Sequence, residues 1–232
     1  MVSIICPSRD RPNNLKIAFD SLGLQKNGLE ALAWIDEDDP QMDKYIELFG
    51  EDPAVKLFIK KHVGYGNFHV MINFLTAQAK YNWIFLFNDD AYIENPGWFR
   101  KFSDFVRKFE PTASPIVINI WGQGDAKFNL FPIVSRKFVD ILGHFSLFYA
   151  CDTWVQTVAV GAGIHYSLNG LKPVHRKYQR EDVLRDKTFE ETERVRNVIK
   201  YTDNPDRSPF KQLLAEDIRK IIEFKKSINY GG

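Results

Sequence analysis

Residues 83–98, "WIFLFNDDAYIENPGW", run five apolar residues into Asn88-Asp89-Asp90 and then into a Pro-Gly turn. An unbroken apolar run of this kind fits a strand covered on both faces. Two adjacent carboxylates at its end repel each other unless a cation or solvent lies between them. A divalent ion such as Mg²⁺ or Mn²⁺ meets that need, because it takes oxygen ligands from one or two carboxylates and from substrate phosphates. Turn chemistry alone also places acidic residues ahead of "NPG". On the pair by itself, both readings stand.

Working back from this strand, the same grammar repeats. "VSIIC" (2–6), "ALAWID" (31–36) and "VKLFI" (55–59) read as short buried strands. Between them, Leu15, Ala18, Phe19 and Leu22 fall at helical spacing, as do Met42, Tyr45, Ile46 and Phe49, and then Phe68, Met71, Ile72, Leu75 and Ala79. Working forward, "NPGW" opens a helix with Trp98, Phe102, Phe105, Val106 and Phe109 facing inward, and "PIVINIW" (115–121) is a fifth strand. Strands alternating with helices imply right-handed βαβ units: an α/β fold with a mostly parallel, doubly wound sheet flanked by helices. Ligands of such sheets bind beyond the carboxyl ends of the strands. The segments to inspect are therefore Pro7 to Arg11, Asp36 to Asp39, and Asn88 to Asp90.

Farther along, "SRKFVDILG" (135–143) reads as a short helix with Ser135 as N-cap and Gly143 as its stop. "CDTWVQTVAVGAG" (151–163) is another helix, while "IHYSL" and "KPVHRKY" suit edge strands or loops. Mixed charge from Arg176 to Arg196 suggests a solvated stretch. "SPFKQLLAEDIRKIIEFKKS" (208–227) carries Leu213, Leu214, Ile218, Ile221 and Ile222 as the stripe of a C-terminal helix.

Bulk properties narrow the function classes. The 232 residues are 44% apolar and 14% aromatic, enough for a sizeable core. Thirty-one Lys and Arg against thirty Asp and Glu leave a net charge of +1, which indicates neither nucleic acid nor a membrane surface as partner. The two cysteines, Cys6 and Cys151, sit in apolar strings and suit buried thiols of a reducing compartment. With no apolar run near the ~18 residues of a membrane span and no secretory leader pattern, a soluble, cytoplasmic protein is expected.

The remaining strand ends add to the first. "WIDEDDPQ" (34–41) sets four carboxylates after the second strand, where one can accept from a nucleobase N–H or a ribose hydroxyl, or form a solvated acidic loop. "CPSRDRP" (6–12) sets Arg9 and Arg11 after the first strand, where a guanidinium can pair with phosphate, or simply form a turn with Pro12 at a helix start.

Taken in order, "SIICPSRDRPNNLKIAFDSL", "WIDEDDP" and "VGYGNFHVMINFLTAQAKYNWIFLFNDDAYIENPGWF" resemble the first three blocks of GT-A-fold glycosyltransferases of the family 2-like kind. The likeness spans roughly residues 2–105, and more loosely 130–190. It implies a GT-A domain over residues 1–200 with a C-terminal helical extension over 201–232. It further implies transfer of a hexosyl or pentosyl unit from a nucleotide diphosphate sugar to an acceptor hydroxyl, with inversion and with Mn²⁺ or Mg²⁺ as cofactor. Asn88-Asp89-Asp90 matches the DXD motif with Asn in its first slot. By position, Asp90 ligates the metal, Asp89 and Asn88 serve the donor, and Pro7, Ser8 and Arg9 lie beside the nucleoside. Asp36 or Asp38 contacts the base or ribose, and Asn67 and Asn73 face the donor, with a helix-cap role as the alternative for Asn67. The resemblance also makes Asp152 the catalytic base, with an N-cap role as its alternative, and His175 a further metal ligand, with His165 second in line. The basic loop Arg176–Arg180 helps hold the diphosphate, and aromatic residues around "NIWGQGDAKFNLFP" offer a stacking platform.

The acceptor stays open: a saccharide, a small molecule, a protein, or a modified base such as hydroxymethylated viral DNA. Two alternatives remain beside a transferase. One is a non-catalytic sugar- or partner-binding domain of the same fold, which Asn88 in place of Asp would suit. The other is a nucleotidyltransferase, against which the glycine-free "CPSRDRP" counts.

Overall fold

The computed structural model describes residues 1–24, 28–120, 131–175, 190–191, 194–195 and 210–229. In chain order its elements are β1 (Val2–Ser8), α1 (Pro12–Leu22), β2 (Leu29–Asp36), α2 (Met42–Phe49), β3 (Val55–Lys60), a 3-10 turn (Tyr65–Asn67) and α3 (Phe68–Gln78). Then come β4 (Trp83–Leu86), β5 (Ala91–Ile93), α4 (Trp98–Val106), β6 (Val117–Ile120), β7 (Pro132–Ser135), α5 (Arg136–Leu142), α6 (Cys151–Gly161), β8 (His165–Leu168), β9 (Pro173–His175) and α7 (Lys211–Asn229).

A seven-stranded sheet runs in the order β3-β2-β1-β4-β7-β6-β8. β1 lies parallel to β2 and β4, and β3 parallel to β2. β7 alone runs against its neighbours β4 and β6, while β8 is parallel to β6. This mostly parallel α/β sheet agrees with the expectation from alternating periods. Strand alternation sends Ile4, Ala33, Phe85 and Ile118 to one face, where they meet α1, α2 and α4. Ile5, Trp34, Ile84 and Val117 go to the other, against α3, α5, α6 and α7. Both faces are thus covered, which is why the strands read as continuous apolar runs.

Two strands escape the sequence pattern. β5 is three residues long, and β7 begins at Pro132. Pro132 lies at the first position of its strand, where a proline is tolerated. α4 ends at Val106, so Phe109 lies beyond the helix; Trp98 and Phe102 are its fully buried residues. Cys6 and Cys151 are buried free thiols.

α7 packs on α5 and α6, burying Leu214 and Ile221. Leu213, expected in the stripe, is instead exposed, and Asp217 is buried. Asp217 Oδ2 accepts from Trp154 Nε1 at 3.2 Å and lies 3.3 Å from His144 Nε2. Close approach here depends on Gly161, where an added Cβ would come 2.8 Å from Ile218 Cδ1. Among the described residues no helix is long and apolar enough to cross a membrane.

Candidate functional site

β1 carries a proline, Pro7, in a central strand. It is accommodated because pairing with β4 ends at Ile5, leaving the edge beyond it free of a ladder bond that Pro7 would have to donate. Ser8 closes the strand, and its hydroxyl donates to Asp89 Oδ2 at 2.8 Å. Since that proton is spent, the Tyr45 hydroxyl at 2.7 Å donates to Ser8 Oγ, and Tyr45 in turn accepts from the Arg11 N–H at 3.0 Å. A hydrogen-bonded chain therefore runs from the Arg11 backbone through Tyr45 and Ser8 to Asp89. Burial pushes the Tyr45 phenol well above its ordinary range, so it stays protonated in this role.

The turn after β1 splits two arginines. Asp10 adopts φ 57°, a left-handed conformation that Asp tolerates better than most residues. Its N–H donates to Asp39 Oδ2 at 2.8 Å, and Gln41 Nε2 donates to its carbonyl and to its Oδ1. With Asp10 so held, Arg9 reaches one carboxylate pair and Arg11 another.

Arg9 Nη1 lies 3.0 Å from Asp36 Oδ2 and 2.6 Å from Asp38 Oδ1. Asp36 also accepts from Trp34 Nε1 at 3.0 Å, and His62 Nδ1 lies 2.7 Å from its Oδ2. The hydrogen bond from Arg9 holds the exposed Asp38 carboxyl below its usual range. Asp36, Asp38 and His62 offer ligand atoms all within 4.8 Å of one another, a spacing that a metal ion could use. Arg9 lies on both of its carboxylates. Of the four acidic residues 36–39, Asp36 and Asp39 are buried and Glu37 and Asp38 are exposed, with Asp39 accepting from the Gln41 N–H.

Arg11 lies on the second pair. Its Nη1 is 3.3 Å from Asp89 Oδ1 and 3.9 Å from Asp90 Oδ2. Burial, with the neighbouring Asp90 charge added to it, pushes Asp89 up to about 6 against the pull of Arg11 and Ser8. Asn88 closes the turn by accepting from the Ala91 N–H through its carbonyl. The short ribbon β5–β9 then matters: Ala91 pairs with His175, and this register sets His175 Nε2 2.8 Å from Asp90 Oδ1. The His175 ring stands edge-on to Phe131, centroids 5.9 Å apart. Two carboxylates and an imidazole on fixed elements are a donor set suited to a Mn²⁺ or Mg²⁺ that also takes phosphate oxygens. Asp90 and His175 could offer an oxygen and a nitrogen to such an ion, while Asp89 already bonds Ser8 and Arg11.

Other candidates sit elsewhere. Asn67 is exposed and its amide donates to the Val63 carbonyl, while its side chain makes no helix cap. Asn73 is committed to the 145–146 loop, accepting from Phe145 N and Ser146 N and donating to Ser146 O. Asp152 lies in the first turn of α6, with Ala150 as N-cap, and accepts from the Thr153 N–H at 2.8 Å. The Tyr149 ring packs 6.0 Å from that of Tyr65, which follows the carboxyl end of β3. Tyr149, two residues ahead of α6, thus packs on the segment that follows β3. His165 is on β8, where burial pulls its imidazole down. Trp98, Phe131, Phe148, Tyr149 and Trp154 are core residues. Trp121, Phe128 and Arg176–Arg180 lie outside the described residues.

Tyr45 and His62 join these groups without having been singled out for them, whereas Arg11 was expected at this edge as a partner for phosphate. His62 follows β3 directly, so extending the strand-end rule to that strand would have found it.

No protein-family model and no curated protein sequence matches the chain. Solved structures do. TarS of S. aureus, residues 1–349, aligns with a TM-score of 0.60 over 100% of this chain and 92% of that one, at 14% identity. A mannosyltransferase from Pyrobaculum calidifontis, solved with GDP-Man and Mn²⁺, gives 0.59 over 100% and 75%, at 11% identity. Glucosyl-3-phosphoglycerate synthase from Mycobacterium tuberculosis, solved with Mn²⁺, UDP and glucosyl-3-phosphoglycerate, gives 0.59 over 89% and 81%, at 12% identity. The likeness is one of fold: the chain has the GT-A glycosyltransferase architecture.

Proposed function

We propose that the chain is a divalent-metal-dependent glycosyltransferase that moves a sugar from a nucleoside diphosphate sugar to an acceptor hydroxyl, with inversion at the anomeric carbon. The observation that carries this reading is the pairing of Asp90 with His175 at the mouth where the ends of β1, β2 and β4 meet. The Mn²⁺ and nucleotide ligands of the structural neighbours support it.

In this reading Asp90 and His175 hold the cation, and Ser8 and Arg11 fix Asp89 beside them. When bound, the ion stabilises negative charge developing on the diphosphate leaving group. Pro7, Arg9, Asp36 and Asp38 border the nucleoside, with Arg9 locking the two carboxylates in place. Asp152 accepts the proton of the attacking hydroxyl. It lies in the first turn of α6, at the helix N-terminus.

The test is a panel of UDP- and GDP-sugars with and without Mn²⁺, followed by released nucleoside diphosphate. One donor should be hydrolysed slowly and only with metal. Asp152→Asn should lower transfer by about 10²–10⁴-fold while nucleotide binding persists. Absence of metal-dependent binding of any nucleoside diphosphate refutes the reading; full transfer by a folded Asp152→Asn removes that residue from the base role.

A further inference from the structure

Arg11 occupies an unusual position for a residue outside the ligand set. Its guanidinium stands against both Asp89 and Asp90, which with it carry two negative charges and one positive when both are ionised. Its backbone is tied down independently, the N–H to Tyr45 and the carbonyl to the Leu15 N–H at 3.0 Å. The side chain can therefore change partners without moving the turn. Its approaches of 3.3 and 3.9 Å are also longer than the 2.6 and 3.0 Å of Arg9 on the neighbouring pair.

We propose that Arg11 is the resident counter-ion of the Asp89–Asp90 pair and couples metal loading to diphosphate binding. The proposal rests on the assignment of Asp90 and His175 as the metal-holding residues. A divalent cation arriving alone meets a guanidinium already facing its carboxylates, and the like charges oppose each other. A diphosphate arriving alone meets the carboxylates. Arriving together, the diphosphate gives Arg11 an anionic partner and the carboxylates face the cation. Arg11 thus weakens metal binding by the free protein and strengthens it once nucleotide is present. It acts as a positioning residue, since its effect passes through Asp89 and Asp90.

The experiment titrates Mn²⁺ against the full chain, following the free-ion paramagnetic resonance signal, with and without UDP or GDP. In the wild-type protein nucleotide should tighten Mn²⁺ binding by about tenfold or more. Arg11→Gln should bind Mn²⁺ alone about tenfold more tightly than wild type, the scale expected when a unit charge within ~5 Å is removed at a part-buried site. In that variant the nucleotide effect should shrink by a similar factor. Arg11→Lys keeps the charge and should keep the wild-type weakness toward Mn²⁺ alone. Unchanged or weaker Mn²⁺ binding by Arg11→Gln overturns the proposal. So does an Arg11→Lys protein that binds the ion as tightly as the neutral variant, and this second variant decides the matter if the first fails to fold. If wild-type protein takes up no Mn²⁺ even with nucleotide, the functional reading falls and this proposal with it. Metal uptake with nucleotide but no response to Arg11 substitution leaves the functional reading standing and removes only the coupling role.

Discussion

Two carboxylates, one arginine and one histidine meet twice in this molecule, at the end of β2 and again after β4. The first group is Asp36, Asp38, Arg9 and His62; the second is Asp89, Asp90, Arg11 and His175. Their formal charges are the same, yet their geometry differs. In the first, Arg9 lies within 3.0 Å of both carboxylates, and Asp36 takes a third bond from the Trp34 indole. In the second, the carboxylates are consecutive in sequence and the arginine stands farther off; each group holds one buried carboxylate, Asp36 and Asp89. In the proposed reading, the first group, drawn tight by short bonds, is the rigid border of the nucleoside, and the second, whose arginine stands farther off, receives the cation. Residue types alone do not separate these cases; the difference comes from how closely the arginine reaches its carboxylates and from which backbone carries each of them.

The sharpest way to break that division is to neutralise one carboxylate in each group. Asp90→Asn should abolish Mn²⁺-dependent nucleotide binding and lower kcat by about 10²–10³-fold, the scale seen when one charge-stabilising group is removed. Asp36→Asn should leave Mn²⁺ uptake in place and lower nucleotide affinity. Titration calorimetry with UDP or GDP, with and without Mn²⁺, reads both. Loss of metal uptake in Asp36→Asn but not in Asp90→Asn would exchange the roles assigned to the two groups.

The histidines give a smaller and cleaner contrast. His175→Gln should weaken Mn²⁺ binding by about 10–100-fold, the range found when groups that support a metal site are altered. His62→Gln should leave Mn²⁺ affinity unaltered and destabilise the fold by about 1 kcal/mol through its lost hydrogen bond to Asp36. Resonance titration and urea denaturation distinguish the two effects. A metal defect in His62→Gln would place the cation at the Asp36 group, whose ligand atoms already lie within 4.8 Å of one another.

How far the sequence foretold these groups depends on the distance over which each signal acts. The buried strands and the helix stripes of α1 and α3 were legible because period and burial are local properties. The carboxyl-edge rule led directly to Ser8, Arg9, Asp36, Asp89 and Asp90, and family resemblance led to His175. What no local pattern carries is partnership between distant segments. Tyr45 fits the apolar stripe of α2, and nothing near it reveals that its hydroxyl links Ser8 to the Arg11 backbone. Asp217 breaks the stripe of α7 because its partners Trp154 and His144 come from another helix and another loop. β5 is too short to show a period, and only its pairing with β9 explains why His175 reaches Asp90.

The smallest expected effect tests the architectural group at its rim. The Asp38 side chain is 57% exposed and its Arg9 partner 29% exposed, so solvent screens the pair even though its bonds are short. Asp38→Asn should therefore cost about 0–1 kcal/mol at pH 7 and less in high salt. The sign with pH follows from Arg9, which lowers the Asp38 carboxyl below its ordinary 3.8. A carboxyl lowered by folding adds stability above its unfolded value and loses it as pH falls through the folded one. The gap between wild type and Asp38→Asn should thus be constant from pH 5 to 8 and close only below 3.8. Denaturant midpoints across that range check it. A gap that instead grows on acidification would mean that the Arg9–Asp38 pair is opposed by folding, and that Asp36 alone keeps Arg9 in place.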